Sequence, residues 1–184
     1  TINGPGVESI NPQIRQNITL FPMSSTENRT RVVSIDTAPD EFVLITYRAD
    51  LGFDSELPGA GVIIEYLDRN NGNLDDNTVN KDPNNPWVMI IEADGDQALL
   101  RNRDSGSSGD AFQTGDYFGS DGHLIRDNRG RLVPWKISIT NIEQSNASIE
   151  ITPDDEFTSR VLTPRSPIQL IEGESAYATI STEL

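Results

Sequence analysis

The residues best placed to do chemistry in this chain are oxygen donors. The stretch Asp68-Arg69-Asn70-Asn71-Gly72-Asn73-Leu74-Asp75-Asp76 follows an apolar run directly and sets carboxylate and carboxamide oxygens around a single glycine. Calcium is bound by hard oxygen ligands gathered around a sharp turn, and glycine permits such a turn. The pattern is not an EF-hand, because the glycine falls one position early and no glutamate occupies the twelfth place. A turn rich in Asp and Asn with solvated carboxylates accounts for the same residues. Asp68, Asn70, Asp75 and Asp76 are therefore a first candidate ligand set with both readings open. A second group, Asp94, Asp96, Asp104, Asp110, Asp116, Asp121 and Asp127, follows within one polar region. Carboxylates brought this close repel one another and need a counter-charge once they leave water. A divalent ion would supply it, and so would Arg101, Arg103, Arg126 and Arg129, whereas full exposure would make the repulsion trivial. Asp94, Asp96 and Asp110 form the second candidate set, with calcium the expected cofactor in a structural role.

Other chemistries find less material. The chain has no cysteine, which excludes thiol catalysis, disulfides and cysteine zinc sites. Its one histidine, His123, cannot form the HExxH zinc helix, which needs two, and its Gly119-Ser120-Asp121-Gly122 surroundings read as a surface loop. There is no GxSxG elbow for a serine nucleophile, and Gly106-Ser107-Ser108-Gly109 lacks the Lys-Ser/Thr of a phosphate loop. Glu65 and Glu92, on neighbouring strands, would allow glycoside hydrolysis, but any acidic chain offers such pairs. Tyr117 and Phe118 with Trp87 and Trp135 would make a sugar-stacking platform, although the two tryptophans beside apolar strand residues read more naturally as core or rim packing.

The 184 residues carry 29 acidic and 14 basic side chains, a formal charge of -15. Such a chain repels phosphate backbones at long range, so nucleic acid is not an expected partner and metal cations are. The longest apolar runs, Phe42 to Ile45 and Val88 to Ile91, are far short of the roughly 20 residues of a membrane helix. No basic region followed by an apolar stretch opens the chain, which is read as a leader that never existed or was removed, and Thr1 in place of Met favours removal. The sequons at Asn17, Asn28 and Asn146 permit glycosylation on a secreted or cell-surface protein.

The elements that must position these residues read as strands. Apolar residues recur at every second position or run unbroken for four to six residues between clusters of Gly, Pro, Asn and Asp. Strands are expected at 18–21, 31–35, 41–48, 61–68, 87–93, 98–101, 131–135, 136–142, 148–152, 168–171 and 176–181. Lys136 to Thr140 and Ser148 to Thr152 each turn isoleucines to one face, which predicts a hairpin across Glu143 to Ala147. Phe42 to Ile45 and Val88 to Ile91, apolar on both faces, are expected in the middle of the core. Two long polar connections, 69–86 and 102–131, are where function is expected. The expected fold is all-β, an antiparallel β-sandwich of jelly-roll type with two long Asp/Gly/Asn-rich loops. Its organisation is an extended N-terminal arm over 1–17, the sandwich over 18–152, and over 153–184 a linker with a C-terminal strand segment or the start of a further β module.

Several motifs in order resemble one family. Glu41-Phe42-Val43-Leu44-Ile45-Thr46-Tyr47-Arg48, then Gly52-Phe53-Asp54, then Leu57-Pro58-Gly59-Ala60-Gly61-Val62-Ile63-Ile64-Glu65-Tyr66-Leu67-Asp68 resemble the "EYFLLEYR", "GFD" and "LPGxGLLIWHVD" of the M6 (immune inhibitor A-like) secreted metallopeptidases. Glu92-Ala93-Asp94-Gly95 resembles that family's "EADG", and Gly109-Asp110-Ala111-Phe112 its "GDPF". The similarity covers about residues 18 to 152. It implies a non-catalytic β-rich domain that follows the zinc catalytic domain, with calcium nearby. The HExxH helix is absent, and Tyr66 stands where the family has the histidine of its "WHVD" segment. The chain alone is therefore expected to be no enzyme, either part of a larger zinc metallopeptidase or the same module reused on a cell surface.

The sequence thus predicts an extracellular, calcium-stabilised, non-catalytic β-sandwich module. Its expected partners are metal ions and either a catalytic domain of the same polypeptide or neighbouring copies of itself. Two alternatives stand beside this reading. One is a subunit of a surface layer or filament assembled by strand exchange, through residues 1–16 or 168–181. The other is a carbohydrate-binding module.

Overall fold

The structure, a computed structural model, describes residues 4–154. Ten strands follow one another: β1 (Val7–Ser9), β2 (Gln16–Leu20), β3 (Val32–Ala38), β4 (Glu41–Arg48), β5 (Gly61–Asp68), β6 (Val88–Ile91), β7 (Tyr117–Gly119), β8 (His123–Leu124), β9 (Trp135–Glu143) and β10 (Asn146–Pro153). They form two five-stranded sheets in the orders β1-β3-β4-β5-β6 and β2-β10-β9-β7-β8. The only helical pieces among the described residues are two 3-10 turns, at Gly52–Glu56 and Ser108–Asp110. No helix there is long and apolar enough to cross a membrane.

Period-two patterning explains which face each strand buries. Ile137 and Ile139 of β9, Ala147, Ile149 and Ile151 of β10, and Ile18 and Leu20 of β2 point the same way, while Ser138, Thr140 and Glu150 do not. From the other sheet Val33, Ile35, Val43, Ile45, Val62 and Ile64 enter the same hydrophobic core. Each fully buried side chain of this size contributes roughly 1.5–3 kcal/mol relative to exposure. β4 is buried along almost its whole length and lies between β3 and β5, as its two-faced apolar run predicts. The chain passes between the sheets through the buried Ile10, and Tyr47 of β4 ties them again by donating its hydroxyl to the Glu143 carbonyl at 2.8 Å.

The predicted hairpin forms, with Glu143 opposite Asn146 and a register shift at Ser148/Ile149. The two segments expected at 131–135 and 136–142 are replaced by one strand from Trp135, with Leu132 held only in an isolated bridge to Arg126. Residues 98–101 form a turn and no strand. The sheets are mixed and not purely antiparallel, because the short pairs β1/β3 and β7/β8 run parallel. Within the expected N-terminal arm, Val7–Ser9 pairs with Val32–Ser34, and Gln16 and Asn17 pair with Ile151 and Glu150. Strands of three residues carry too little alternation to announce themselves, and only a long-range partner defines them. Val88 to Ile91 is a strand but not a central one. It is the last strand of its sheet and is half-buried throughout, since unbroken apolarity cannot distinguish a covered strand from a border one beneath a loop. The strands expected at 168–171 and 176–181 lie outside the described residues.

The second sheet closes on an aromatic group. Phe118 and Trp135 meet edge to face with centroids 6.5 Å apart, and Phe112 lies 5.5 Å from Phe118, all buried. Gly119 makes this possible. It has φ +116°, and a Cβ there would stand 2.3 Å from the Trp135 carbonyl oxygen. Gly119→Ala should therefore lower the unfolding free energy by at least ~2 kcal/mol through backbone strain and overpacking. Urea unfolding reads this as a lower midpoint, and an unchanged midpoint would contradict the close packing of Gly119 on Trp135.

Candidate metal centre

The two loops expected to bind an ion behave differently. In the first, Asp68 is buried at the end of β5 and fully engaged by N–H donors. Its Oδ1 accepts from the Asn70 backbone at 2.9 Å and from Asn70 Nδ2 at 2.8 Å, and its Oδ2 accepts from Asn71 Nδ2 at 2.9 Å and Asn128 Nδ2 at 3.2 Å. Asn70 turns its amide nitrogen, a donor, toward this carboxylate and also toward the Pro39 carbonyl. Asp75 and Asp76 are exposed, and Asp76 accepts from Asn73. Asp68 and Asn70 are thus brought together as partners of one another, and Asp75 and Asp76 do not join them. The arrangement is the Asx-turn alternative that the residues also allowed.

Around Asp68 lies a buried polar network. Tyr66 donates its hydroxyl to Glu41, whose Oε2 also accepts from the Asn128 backbone at 3.0 Å. Burial first, and then the Glu41 carboxylate, push the Tyr66 phenol far above its ordinary pKa. Burial opposes ionisation of Asp127, but the backbone N–H groups of Arg131 and Arg129 and the Arg131 guanidinium at 2.7 Å outweigh it and hold this carboxyl below the usual range. The network fastens the 125–131 loop to β4 and β5.

The second loop contains the carboxylates that do converge. Glu92, Asp94 and Asp96 each place an oxygen within 4.8 Å of the others. Two oxygens on opposite sides of one calcium ion, each at roughly 2.4 Å, are about that far apart. The local chain accounts for the convergence. Gly95 (φ +74°) and Gln97 (φ +57°) adopt left-handed conformations, and Gly95 donates to the Glu92 carbonyl at 3.1 Å. Immediately after β6 the backbone therefore curls back over Glu92. The Ala98 N–H then donates to Glu92 Oε2 at 2.7 Å and to Asp96 Oδ1 at 2.8 Å.

Glu92 is the unusual member. It is 4% exposed, and its Oε1 is buried with no hydrogen-bond partner. Burial raises its pKa, against the backbone N–H groups of Ala98 and Leu99, and the neighbouring Asp96 raises it further. The arginines that would neutralise the group do other things. Arg103 donates to the Asp96 carbonyl and not to its carboxylate, Arg101 to Gln97, and Arg126 to the Gly130 carbonyl. Among the described residues no ion pair involves Glu92, Asp94 or Asp96. An orphaned buried oxygen beside two further carboxylates, with no side-chain cation to balance them, fits a hard divalent ion. An all-oxygen donor set suits calcium or magnesium and not a thiophilic metal.

Asp110 is near but differently employed. It is buried, its carboxylate accepts from the Ser107 N–H at 2.7 Å and the Ser107 hydroxyl at 3.2 Å, and its carbonyl accepts from Ala93. It braces the loop that lies against Asp94, where a Cβ on Gly109 would stand 2.8 Å from Asp94 Oδ2. Asp104, Asp116, Asp121 and Asp127 accept from backbone N–H groups of their own turns. Glu65 is no part of the acidic group. Glu92 is the residue that sequence reasoning did not place at the ion. The available signal was three acids at positions i, i+2 and i+4 directly after an apolar strand.

The remaining candidates separate cleanly. A cavity of about 210 Å³ adjoins Glu92, lined by Met89, Ile91, His123 and Ile125 among others, smaller than the ~300 Å³ at which small-molecule sites begin. His123 is half-buried with its ring edge-on to Phe112 at 4.9 Å, a packing contact and not the surface position expected of it. Trp135 and Phe118 are core, Trp87 is half-buried, and Tyr117 is exposed beside Lys136. Of the sequons, Asn17 and Asn28 are exposed, whereas Asn146 is half-buried and donates to Ser145. In comparisons with protein-family models, curated proteins and solved structures, nothing matches this chain.

A raised folded pKa means that Glu92 stabilises the metal-free protein below the ordinary glutamate range, and that this contribution is lost as pH rises through the raised value. Glu92→Gln removes the buried charge, keeps an acceptor for Ala98 and turns an amide donor toward Asp96. In EDTA at pH 7 the variant should melt about 2–4 °C above wild type, equivalent to ~1 kcal/mol in a chain of this size. Differential scanning calorimetry across pH 4 to 8 tests this, and a variant melting below wild type in chelator would show that the carboxylate is needed without an ion.

Proposed function

We propose that this chain is an extracellular, calcium-stabilised, non-catalytic β-sandwich module of jelly-roll type. Glu92, Asp94 and Asp96 hold the ion in this reading, and the observation that carries it is the buried Glu92, with its unpartnered Oε1, grouped with two carboxylates that no basic side chain among the described residues neutralises. The ion's role is structural: it offsets the carboxylate repulsion and pins residues 92–110 over the end of β6. Asp110 supports the site from behind and Asp68 belongs to the separate hydrogen-bonded network. The resemblance to the β-rich domain of M6-type secreted metallopeptidases supports the same reading, since its "EADG" segment is the one that carries the site. On that reading the module works beside a zinc catalytic domain or as a reused surface module, secreted or at the cell surface, with exposed Asn17 and Asn28 available to glycans.

The alternatives have less behind them. Assembly by strand exchange needs a free donor strand: residues 7–9 and 16–17 are already paired within the sheets, and the other expected donor, 168–181, lies outside the described residues. A sugar platform needs exposed aromatic faces, and of the aromatic residues considered for it only Tyr117 is exposed.

Calcium that binds only the folded state stabilises it by about 2.7 kcal/mol at a hundred times its dissociation constant. For a chain of this length that amounts to a rise of about 5–10 °C in Tm between EDTA and millimolar Ca2+. Asp94→Asn should remove most of the rise, and Asp75→Asn/Asp76→Asn should keep it. An identical Tm in chelator and in calcium would overturn the proposal, as would a rise that survives Asp94→Asn but not the double variant.

A further inference from the structure

Phe53 is the most exposed large apolar side chain among the described residues. It is 98% exposed, whereas Phe42, Phe112 and Phe118 are buried and Phe21 is half-buried beneath the Arg29 guanidinium. Its exposure does not come from a loose loop. Phe53 sits in the 3-10 turn Gly52–Glu56, where Asp54 donates to the Leu51 carbonyl, Leu57 donates to the Asp54 carbonyl, and the Ser55 hydroxyl donates to the Gly52 carbonyl at 2.8 Å. Arg48 of β4 donates to Asp54 at 3.2 Å and anchors the turn to the sheet. The exit is clamped as well: a Cβ on Gly59 would stand 2.7 Å from Ser108 Cα, and Gln113 donates to the Ala60 carbonyl at 2.8 Å.

We propose that the 51–57 turn is a protein-docking knob, with Phe53 its anchor, for a partner surface that offers an apolar socket rimmed by Lys or Arg. A large apolar group already held in place loses little freedom on binding, which is the usual character of an interface anchor. Leu51 and Leu57 extend the apolar tip, both partly exposed. Charge complementarity identifies the occupant. Asp50 and Glu56 flank the tip, both are exposed, and neither has an ion-pair partner among the described residues. The turn itself has no basic residue, and the two arginines beside it are paired: Arg48 with Asp54, and Arg29, which lines a cavity with Leu51 and Gly52, with Glu27. It therefore does not suit anionic headgroups, and a second copy would bring a charge of -15 against its like. The inference uses no residue of the proposed ion site and stands whether or not calcium binds.

Random peptides displayed on phage, selected against the immobilised whole chain, provide the test. The selected peptides should combine one large apolar residue with two or more Lys or Arg. As synthetic peptides they should lose about 30-fold or more in affinity against Phe53→Ala, lose several-fold against Asp50→Asn/Glu56→Gln, and bind Leu74→Ala, altered at an exposed leucine in another loop, like wild type. Phe53→Ala should melt with wild type, so that lost binding is not lost folding, and Phe53→Trp should retain binding. Selection of no Phe53-dependent peptide, or of peptides without basic residues, overturns the proposal. So does sedimentation showing that Phe53→Ala abolishes a wild-type dimer, which assigns the knob to a second copy. Loss in the same variant of binding to phosphatidylcholine vesicles overturns it too, by assigning the knob to lipid.

Discussion

The constraint on which the rest of this structure depends is that every carboxylate taken into a strongly acidic fold must be satisfied where it lies. Among the described residues five are buried: Glu41, Asp68, Glu92, Asp110 and Asp127. Four meet the requirement with groups of the chain itself, through the Tyr66 hydroxyl, the Asn70, Asn71 and Asn128 amides, the Ser107 backbone and hydroxyl, and Arg131 with its backbone. Glu92 meets it with one oxygen and not with the other. A buried acceptor left alone is expensive, and the neighbouring aspartates raise the cost of charge at that place. Solvent exclusion leaves Asp54 Oδ2 without a partner as well, but Asp54 is paired with Arg48 through its other oxygen, whereas Glu92 is grouped with two further carboxylates.

The two polar regions have opposite characters for this reason. The Glu41–Tyr66–Asp68–Asn128 network is closed: donors and acceptors are matched, and its effect is to join β4 and β5 to the 125–131 loop. The Glu92 group is open, a curl of chain with an acceptor surplus and, among the described residues, no side-chain cation paired with it. The linkage signs follow. Asp127, held below its ordinary pKa, contributes stability above the ordinary aspartate range that is lost as pH falls through the lowered value. Glu92, pushed above its ordinary pKa, acts in the reverse direction until something replaces the proton it favours.

Much of the sheet framework was readable in advance. The runs Glu41–Arg48 and Gly61–Asp68 emerge as β4 and β5 with those limits, and the alternating isoleucines of Ile137, Ile139, Ile149 and Ile151 place β9 and β10 as a hairpin. The three-residue strands β1 and β7 were not readable, nor was the border position of β6, because each is defined by a partner remote in sequence. The candidate site was half legible. Asp94 and Asp96 were visible as members of a crowded run of carboxylates, but they stood second to Asp68, whose loop gathers oxygen donors around a glycine, and only the structure shows Asn71 and Asn128 occupying the second oxygen of Asp68.

By itself the sequence determined the all-β character, the polar/apolar faces of the long strands and the acidic regions between them. Those properties follow from side-chain periodicity and from the turn preferences of Gly, Asn and Asp, which act over a few residues. The tertiary structure alone decided which carboxylates are buried, which are matched and which keep an oxygen without a partner, and it alone held Phe53 out in water. Burial and hydrogen-bond satisfaction are set by what packs against a group, and here Ala98 supplies the contact to Glu92, Asn128 to Asp68, and Arg48 to the turn that carries Phe53.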